Sequence, residues 1–197
     1  FYFFDTVTIN GENVDSDDWV GAFRISGSCS NPGASNEDVC DLLEGAVWTT
    51  TEICVGARQW DPTQCGNGVC DVPVMGEDEY EWTAGYMQTD GIPNFKVFDA
   101  SENAYYDAVA SEDIPWGNND LNMLDNLNVV PDCNGDLGGT VGDEDLDGVC
   151  DDVDVCPGYD DNIDENNNNF PDDCEGCTDD IATNYNQEAI LDDGSCY

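Results

Sequence analysis

Between residues 142 and 158 the chain reads GDEDLDGVCDDVDVCPG, an acid at nearly every second position with two cysteines set among them. Carboxylates at that spacing can wrap a hard cation, which takes roughly six to eight oxygen ligands. Counted from Asp143, the order D-x-D-x-D-G-x-x-D-x-x-D puts Asp143, Asp145 and Asp147 at positions 1, 3 and 5, Gly148 at 6, Asp151 at 9 and Asp154 at 12. That is the order of a calcium loop, in which glycine permits the sharp turn and the carbonyl at position 7, here Val149, completes the shell. A second stretch, DENNNNFPDDCE, offers Asp164, Asn166, Asn168, the carbonyl of Phe170, Asp172 and Glu175 in the same order. Asn169 stands where glycine is usual, and Asn visits positive φ more readily than most residues. The cofactor expected is calcium, at least two ions between Asp143 and Glu175, offsetting a repulsion that otherwise favours a solvated tail.

A helix-loop-helix calcium site needs an amphipathic helix on each side, and VVPDCNGDLGGTV before the first loop cannot supply one. The run DEDLDGVCDDVDVCPGYDDNIDENNNNFPDDC instead resembles the thrombospondin type 3 repeat, an extracellular family in which calcium ions and disulfides replace a hydrophobic core. The resemblance implies that Asp143, Asp145, Asp147, Asp151, Asp154, Asp164, Asn166, Asn168 and Asp172 are ligands. The closing stretch GCTDDIATNYNQEAILDDGSC is similar to a short cysteine-bounded repeat of large secreted surface proteins of aquatic bacteria. DSDDWVGAF, CVGARQWD, CDVPVMG, FKVFDAS and IPWGNN resemble the β-domains carried by such proteins, with residues 26–50 as an insertion. These resemblances imply a location and an architecture.

The elements that must carry these loops lie upstream. Residues 1–130 contain all five tryptophans, Trp19, Trp48, Trp60, Trp82 and Trp116, so the apolar core is expected there. Short runs rich in β-branched and aromatic residues, bounded by turns such as NG, DG and GNG, predict strands at 1–9, 19–25, 46–51, 53–60, 81–87, 94–98, 105–109 and 122–130. No segment holds a helical period over eleven residues, although 36–46 can make a short helix. The fold expected is all-β, an antiparallel β-sandwich over 1–130 with Trp19, Val20, Phe23, Val55, Trp60, Phe95, Val97, Tyr105 and Leu127 in its core. From Pro131 aromatics nearly vanish. Residues 131–176 then form a core-less segment stabilised by calcium and disulfides, and residues 177–197 a small disulfide-closed module.

Charge narrows the partners. Against 45 Asp and Glu stand Arg24, Arg58 and Lys96, a net charge of -42 that repels nucleic acid and anionic lipid. No run of about 20 apolar residues suggests membrane insertion, and the absence of a leader suggests a mature form or an excised part of a longer product. Eleven cysteines in loop-like surroundings indicate a disulfide framework and an extracellular or cell-surface location. The pairs expected are Cys29–Cys40, Cys65–Cys70, Cys150–Cys156, Cys133–Cys174 and Cys177–Cys196, with Cys54 a buried free thiol. Cys174-x-x-Cys177 reads as a boundary between two closed modules; a redox pair or a zinc site is the competing reading. Asn184, Asn186, Asp192 and Asp193 offer a further cation site or a set of turn-stabilising side chains. Asp15 to Asp18 offer the same choice, and DTV at 5–7 resembles a bacterial O-glycosylation motif.

Histidine is absent, which removes the commonest general base, and carboxylate pairs are too numerous for any one to stand out, so no enzyme is expected. Two functions remain. One is a structural subunit of a calcium-stabilised extracellular filament, its partners copies of itself, in which strand 1–9 completes a neighbour's sheet. The other is a surface adhesin binding glycans through the sandwich. Tyr80, Trp82, Tyr86, Tyr105, Tyr106 and Trp116 are its candidate stacking platform, with core packing as the competing role.

Overall fold

The computed structural model describes residues 1–34, 39, 40 and 42–197, in two units, Phe1–Val130 and Pro131–Tyr197. The fold is all-β. Ten strands are β1 Tyr2–Ile9, β2 Glu12–Asn13, β3 Trp19–Cys29, β4 Trp48–Gln59, β5 Cys70–Val72, β6 Asn94–Asp99, β7 Ala104–Ala110, β8 Asn122–Val129, β9 Glu175–Gly176 and β10 Leu191–Asp192. Helical elements among the described residues are short: the 3-10 turns Pro62–Gln64, Glu81–Thr83 and Asp172–Cys174, and the pair Val39 and Cys40. Of the helix expected over 36–46, residues 36–38 and 41 lie outside the description, Val39 and Cys40 are helical, and 42–46 are not.

In the first unit the strands run β2-β1-β8-β7-β6-β3-β4, with β5 also paired to β1. β7 links two layers: Ala104–Ala108 pair with β6, whereas Val109 and Ala110 pair with β8. The layer of β1, β5 and β8 thereby folds over that of β3, β4 and β6, as in a sandwich whose corner strand serves both sheets. The sheet is mixed. β1 runs parallel to β8 from Tyr2↔Asn122 to Ile9↔Val129. On its other side β1 meets β5, and after a turn with Asn10 at φ 50 and Gly11 at φ 83 it meets β2. Two successive positive φ values are what a two-residue hairpin needs to follow the strand twist.

Alternation sorts the side chains, broken once in β1 between Phe4 and Val7 and once in β8 between Leu124 and Leu127. Tyr2, Phe4 and Val7 of β1 face Val20, Ala22, Val55, Phe95, Val97, Leu124, Leu127 and Val129, all buried. Phe95 takes Phe4 and Tyr2 edge-on, at centroid distances of 5.2 and 5.4 Å. Trp116 is buried with its indole N–H donated to the Val74 carbonyl at 3.0 Å. The carbonyl of Pro73 lies 1.5 Å from where a Cβ on Gly56 would sit, so only glycine allows the chain beyond β5 to close onto β4.

Three expected core residues face outward. Trp19 is 43 % and Tyr105 67 % exposed, and Phe23 is half-buried. Their neighbours Val20 and Ala22 take the inward positions, and residues one apart in a strand lie on opposite faces. Cys54 is exposed as well, because it pairs with Phe23 on that outer face. The strand expected over 81–87 is a 3-10 turn, Glu81–Thr83, because the Asp78 carboxylate accepts from the Thr83 hydroxyl at 2.6 Å and from the Tyr80 amide at 2.9 Å. The runs 46–51 and 53–60 form one strand, β4.

The second unit has almost nothing to bury. Its buried residues are Cys156, Pro171, Cys174, Gly176 and Cys177, while Leu146 is 84 % and Ile181 86 % exposed. Disulfides Cys133–Cys150, Cys156–Cys174 and Cys177–Cys196 hold it, with Cys29–Cys40 and Cys65–Cys70 in the first unit. Five disulfides place the chain in an oxidising environment. No helix of the described residues is long and apolar enough to cross a membrane.

The expected pairs Cys150–Cys156 and Cys133–Cys174 are therefore replaced. Preference for the shorter ring was the basis of that expectation, yet closing a ring of 17 residues rather than 6 costs only about 1 kcal/mol more. The backbone decides instead. Amides of Val153 and Asp154 donate to the Cys150 carbonyl at 2.9 Å, a tight turn that places Cys150 beside Cys133 and Cys156 beside Cys174.

The Tyr2 hydroxyl donates to the Ile114 carbonyl at 2.7 Å inside the core. Burial pushes this phenol up from 10.0 to about 12. The unfolded chain thus ionises first, and the stabilisation is complete below pH 10 and lost as pH rises towards 12. Denaturant midpoints of the wild type should fall more steeply across that window than those of Tyr2→Phe; equal slopes would contradict this role for Tyr2.

Candidate metal centre

Side chains of the acid loop are turned inside out. Asp143, Asp145 and Asp147 point inward and each brings a carboxylate oxygen within 4.8 Å of the others, while Leu146 between them faces solvent. This follows from the backbone: Leu146 has φ 63 and Gly148 φ 89, two left-handed positions that bend the chain around its own carboxylates. The loop's amides then aim at its acids. Asp143 accepts from the amides of Asp147 at 3.2 Å and Gly148 at 3.0 Å, and Asp147 accepts from Val149 at 2.6 Å. Asp151 closes the base, accepting from the Glu144 amide at 2.8 Å while its own amide donates to the Gly142 carbonyl at 3.0 Å.

The second loop repeats this geometry twenty-one residues on. Asp164 accepts from the amides of Asn168 at 3.1 Å and Asn169 at 2.9 Å, and Asn168 accepts from Phe170 at 2.8 Å. Asp172 closes the base through the Glu165 amide at 2.8 Å and the Ile163 carbonyl at 2.8 Å. Asn167 has φ 59 and Asn169 φ 69, matching Leu146 and Gly148. Asparagine thus takes the place of glycine in the turn. Glu175 reaches back over the loop to the side-chain amides of Asn166, at 2.7 Å, and Asn168. The side-chain oxygens of Asn166 and Asn168 accept from the amides of Asn168, at 2.9 Å, and Phe170, and each keeps a second lone pair that a cation beside Asp164 and Glu175 can use.

The structure therefore gathers the predicted residues in two ways. Asp143, Asp145 and Asp147 converge as a group, and Asp164, Asn166, Asn168 and Glu175 converge around the second loop. Asp151 and Asp172 each commit an oxygen to the loop base. Carbonyls of Val149 and Phe170 accept no hydrogen bond among the described residues, which leaves them available at position 7. Asp154 bonds the Cys156 amide at 2.7 Å. Desolvation first, then the charges of Asp161, Asp145 and Asp147, hold its carboxyl above the ordinary range, against the pull of that amide.

Asp161 adjoins this constellation, bonded to Asp147 and close to Asp154, and the loop spacing did not reveal it. Its amide donates to Asp147 at 2.6 Å and one of its oxygens accepts from Val155 at 3.0 Å. The other oxygen, Oδ1, is buried without a partner, and so is Oδ2 of Asp145. The residue that matches Asp161 one repeat later is Ala182, so no periodicity marks it. A signal was present in the aspartate that follows the CPG turn. Where the second loop has the longer Glu175 at position 12, the first has Asp154, one methylene shorter, with Asp161 beside it.

Two orphaned carboxylate oxygens test the fit of a cation directly. The unit from Pro131 to Tyr197 contains no Lys, Arg or His, and each of the three cations of the chain is engaged in the first unit. Like charges at this separation repel by about 3–4 kcal/mol per pair at an effective dielectric of ~20. Oxygen-only ligands in a flexible loop fit a hard divalent ion of calcium size, and a thiolate-preferring metal is excluded because every cysteine of the unit is in a disulfide. Cys174 and Cys177 belong to different bridges, so they form neither a redox pair nor a zinc site.

The other candidate cation sites have structural partners. Asp192 and Asp193 accept from the amides of Gly194 and Ser195, and Asn184 bonds both Ser195 and Tyr197. Asp18 accepts from the amides of Asp15 at 2.7 Å and Ala100 at 2.9 Å. The candidate stacking residues are dispersed in role. Trp116 is core, Tyr106 bonds Glu102, and Tyr80 stacks on Trp82 at 4.4 Å in the open.

No protein-family model matches the chain, and neither a curated protein nor a solved structure is significantly similar to it.

Replacing Asp161 by Asn should weaken calcium binding by about tenfold or more, read by titration calorimetry, as expected for loss of a charged ligand from an oxygen shell. Leu146→Ser, on the outer side of the same loop, should leave affinity unchanged. The opposite order of effects would remove Asp161 from the site.

Proposed function

We propose that the chain is a structural subunit of an extracellular filament at the cell surface, stiffened by calcium in a thrombospondin type 3-like segment and joined to its neighbours by exchange of β1. The calcium part rests on the inward-turned acids. Asp143, Asp145, Asp147, Asp154 and Asp161 hold one ion, with the Val149 carbonyl. Asp164, Asn166, Asn168 and Glu175 hold a second, with the Phe170 carbonyl. Ion binding is folding free energy for a segment of this kind, because the chain supplies no core to replace it.

The observation that carries assembly is the slot occupied by β1. It lies between β5 and β8, buries Tyr2, Phe4 and Val7, and is bordered by β8 in parallel. Parallel neighbours cannot be joined by a tight turn, so the connection between β1 and β8 does not select which chain's β1 fills the slot. The same strand from a second copy makes the same contacts, which is the low-cost route of strand exchange. Residues 15–18, between the β1–β2 hairpin and β3, supply the hinge.

Two experiments test the two parts separately. With chelator, residues 132–176 should become protease-sensitive while the β-sandwich persists; unchanged cleavage would remove calcium from the reading. Deleting residues 1–9 should give a chain that does not polymerise in calcium and that takes up a synthetic FYFFDTVTI peptide as a folded monomer. Electron microscopy showing filaments of the deleted chain, or none of the intact chain at any concentration, would refute strand exchange.

A further inference from the structure

The outer face of β3, β4, β6 and β7 carries a groove that the filament reading does not use. Its walls are the rings of Trp19, Phe98 and Tyr105 on one side and Phe23 on the other, and its floor is Gly21 and Ala57, in a cleft of about 520 Å³. That volume lies within the roughly 300–1,000 Å³ of small-molecule sites. The groove has structural causes. Gly21 has no side chain, so the Phe23 ring can lie across it, 2.8 Å from where a Cβ would sit. Phe98 and Tyr105 are cross-strand partners with centroids 4.7 Å apart. At one end Lys96 bonds Glu52 at 2.9 Å and Asp107 at 3.2 Å, with its ammonium 5.7 Å from the centre of the Phe23 ring.

The chemistry of this groove selects its ligand. A peptide strand gains nothing from it, since β3 and β6 are paired on both sides and offer no free backbone groups. An anion is opposed by the net charge of -42. Over the Phe23 face the place of a cationic ligand is filled by Lys96. What remains is a neutral ligand with an apolar face and a polar rim. A pyranose has that form: its C–H face stacks on aromatic rings, and its hydroxyls can both donate to carboxylates and accept from an ammonium. Glu52 and Asp107, partly exposed, have lone pairs beyond those used by Lys96, and the ammonium has a third N–H.

We propose that this groove binds a neutral oligosaccharide, with Trp19 and Tyr105 as stacking surfaces and Lys96, Glu52 and Asp107 as hydroxyl partners. The site is independent of calcium and of strand exchange. Cellohexaose, maltohexaose and N-acetylchitohexaose should be titrated into the full chain, with tryptophan fluorescence and calorimetry as readouts. At least one should bind, and Trp19→Ala and Tyr105→Ala should each weaken it by about tenfold. Trp19→Phe should restore most of the affinity. Trp82→Ala, an exposed stacked ring elsewhere, should change nothing. Bound sugar should also slow alkylation of the Cys54 thiol by N-ethylmaleimide, because Cys54 lines the groove. Silence of all three sugars at millimolar concentration overturns the proposal, as does binding that survives both alanine substitutions. A concentration-dependent dimer lost in Trp19→Ala, or binding of a proline-rich peptide in place of sugar, would assign the groove to a protein partner and overturn it equally.

Discussion

Carboxylates turned toward one another in a unit that owns no cation set the terms for the rest of its structure. A chain that buries Asp145 Oδ2 and Asp161 Oδ1 without partners, and leaves Leu146 in water, has reversed the ordinary sorting of side chains. Hydrogen bonds from the loop's own amides stabilise each carboxylate, but they cannot cancel the repulsion among them. The disulfides act on the other side of the balance. Cys133–Cys150 encloses the first acid loop and Cys156–Cys174 the second. In the chain-entropy view each such ring removes about 3 kcal/mol of conformational freedom from the unfolded state, a large share for a unit too small to build a core.

The first unit solves the problem of an acidic chain in the opposite way. Its three cations are each set against acids on the sheet: Arg24 with Glu77, Arg58 with Asp71, and Lys96 with both Glu52 and Asp107. These pairs are partly exposed and individually weak. Burial of aromatic and branched side chains between the layers supplies the stability, and β1 supplies much of that burial through Tyr2, Phe4 and Val7. A strand so important to the core is one whose removal is costly.

Much of this was legible in the sequence, for reasons that differ by region. Alternation marked β1, β6, β7 and β8 within one or two residues, and β3 up to its last four, because each strand has one wet and one dry face. It failed for Trp19, Phe23 and Tyr105, since large apolar size was taken for burial, and those rings line a groove instead. The turn of 81–83 was missed because Asp78 captures Thr83, a side-chain bond that competes with strand formation. In the acid loops, the ligand order of Asp143, Asp145 and Asp147 follows from local backbone geometry, so spacing revealed it. Asp161 reaches the same point from fourteen residues beyond Asp147, across a cysteine turn, and long-range placement leaves no local pattern. The disulfides of the second unit were misassigned for the same reason: ring size was weighed, but the tight turn after Cys150 was not.

The two units also differ in how they answer ionic conditions. Monovalent salt shortens the reach of exposed charge to about 8 Å at physiological ionic strength, which quiets the many solvated acids of the chain. It does little for oxygens that water does not reach, since screening requires ions to approach. Oδ2 of Asp145 and Oδ1 of Asp161, buried without partners, are oxygens of that kind, and on the proposed reading their relief comes from an ion that enters the loop and gives up its water to the carboxylates. A divalent cation does so with twice the charge and a flexible shell. The left-handed bends at Leu146 and Gly148, and at Asn167 and Asn169, turn the loop oxygens inward rather than along a surface. The sandwich, whose stability comes from apolar burial, holds no such group of inward-turned carboxylates among its described residues, so the two units rest on different interactions.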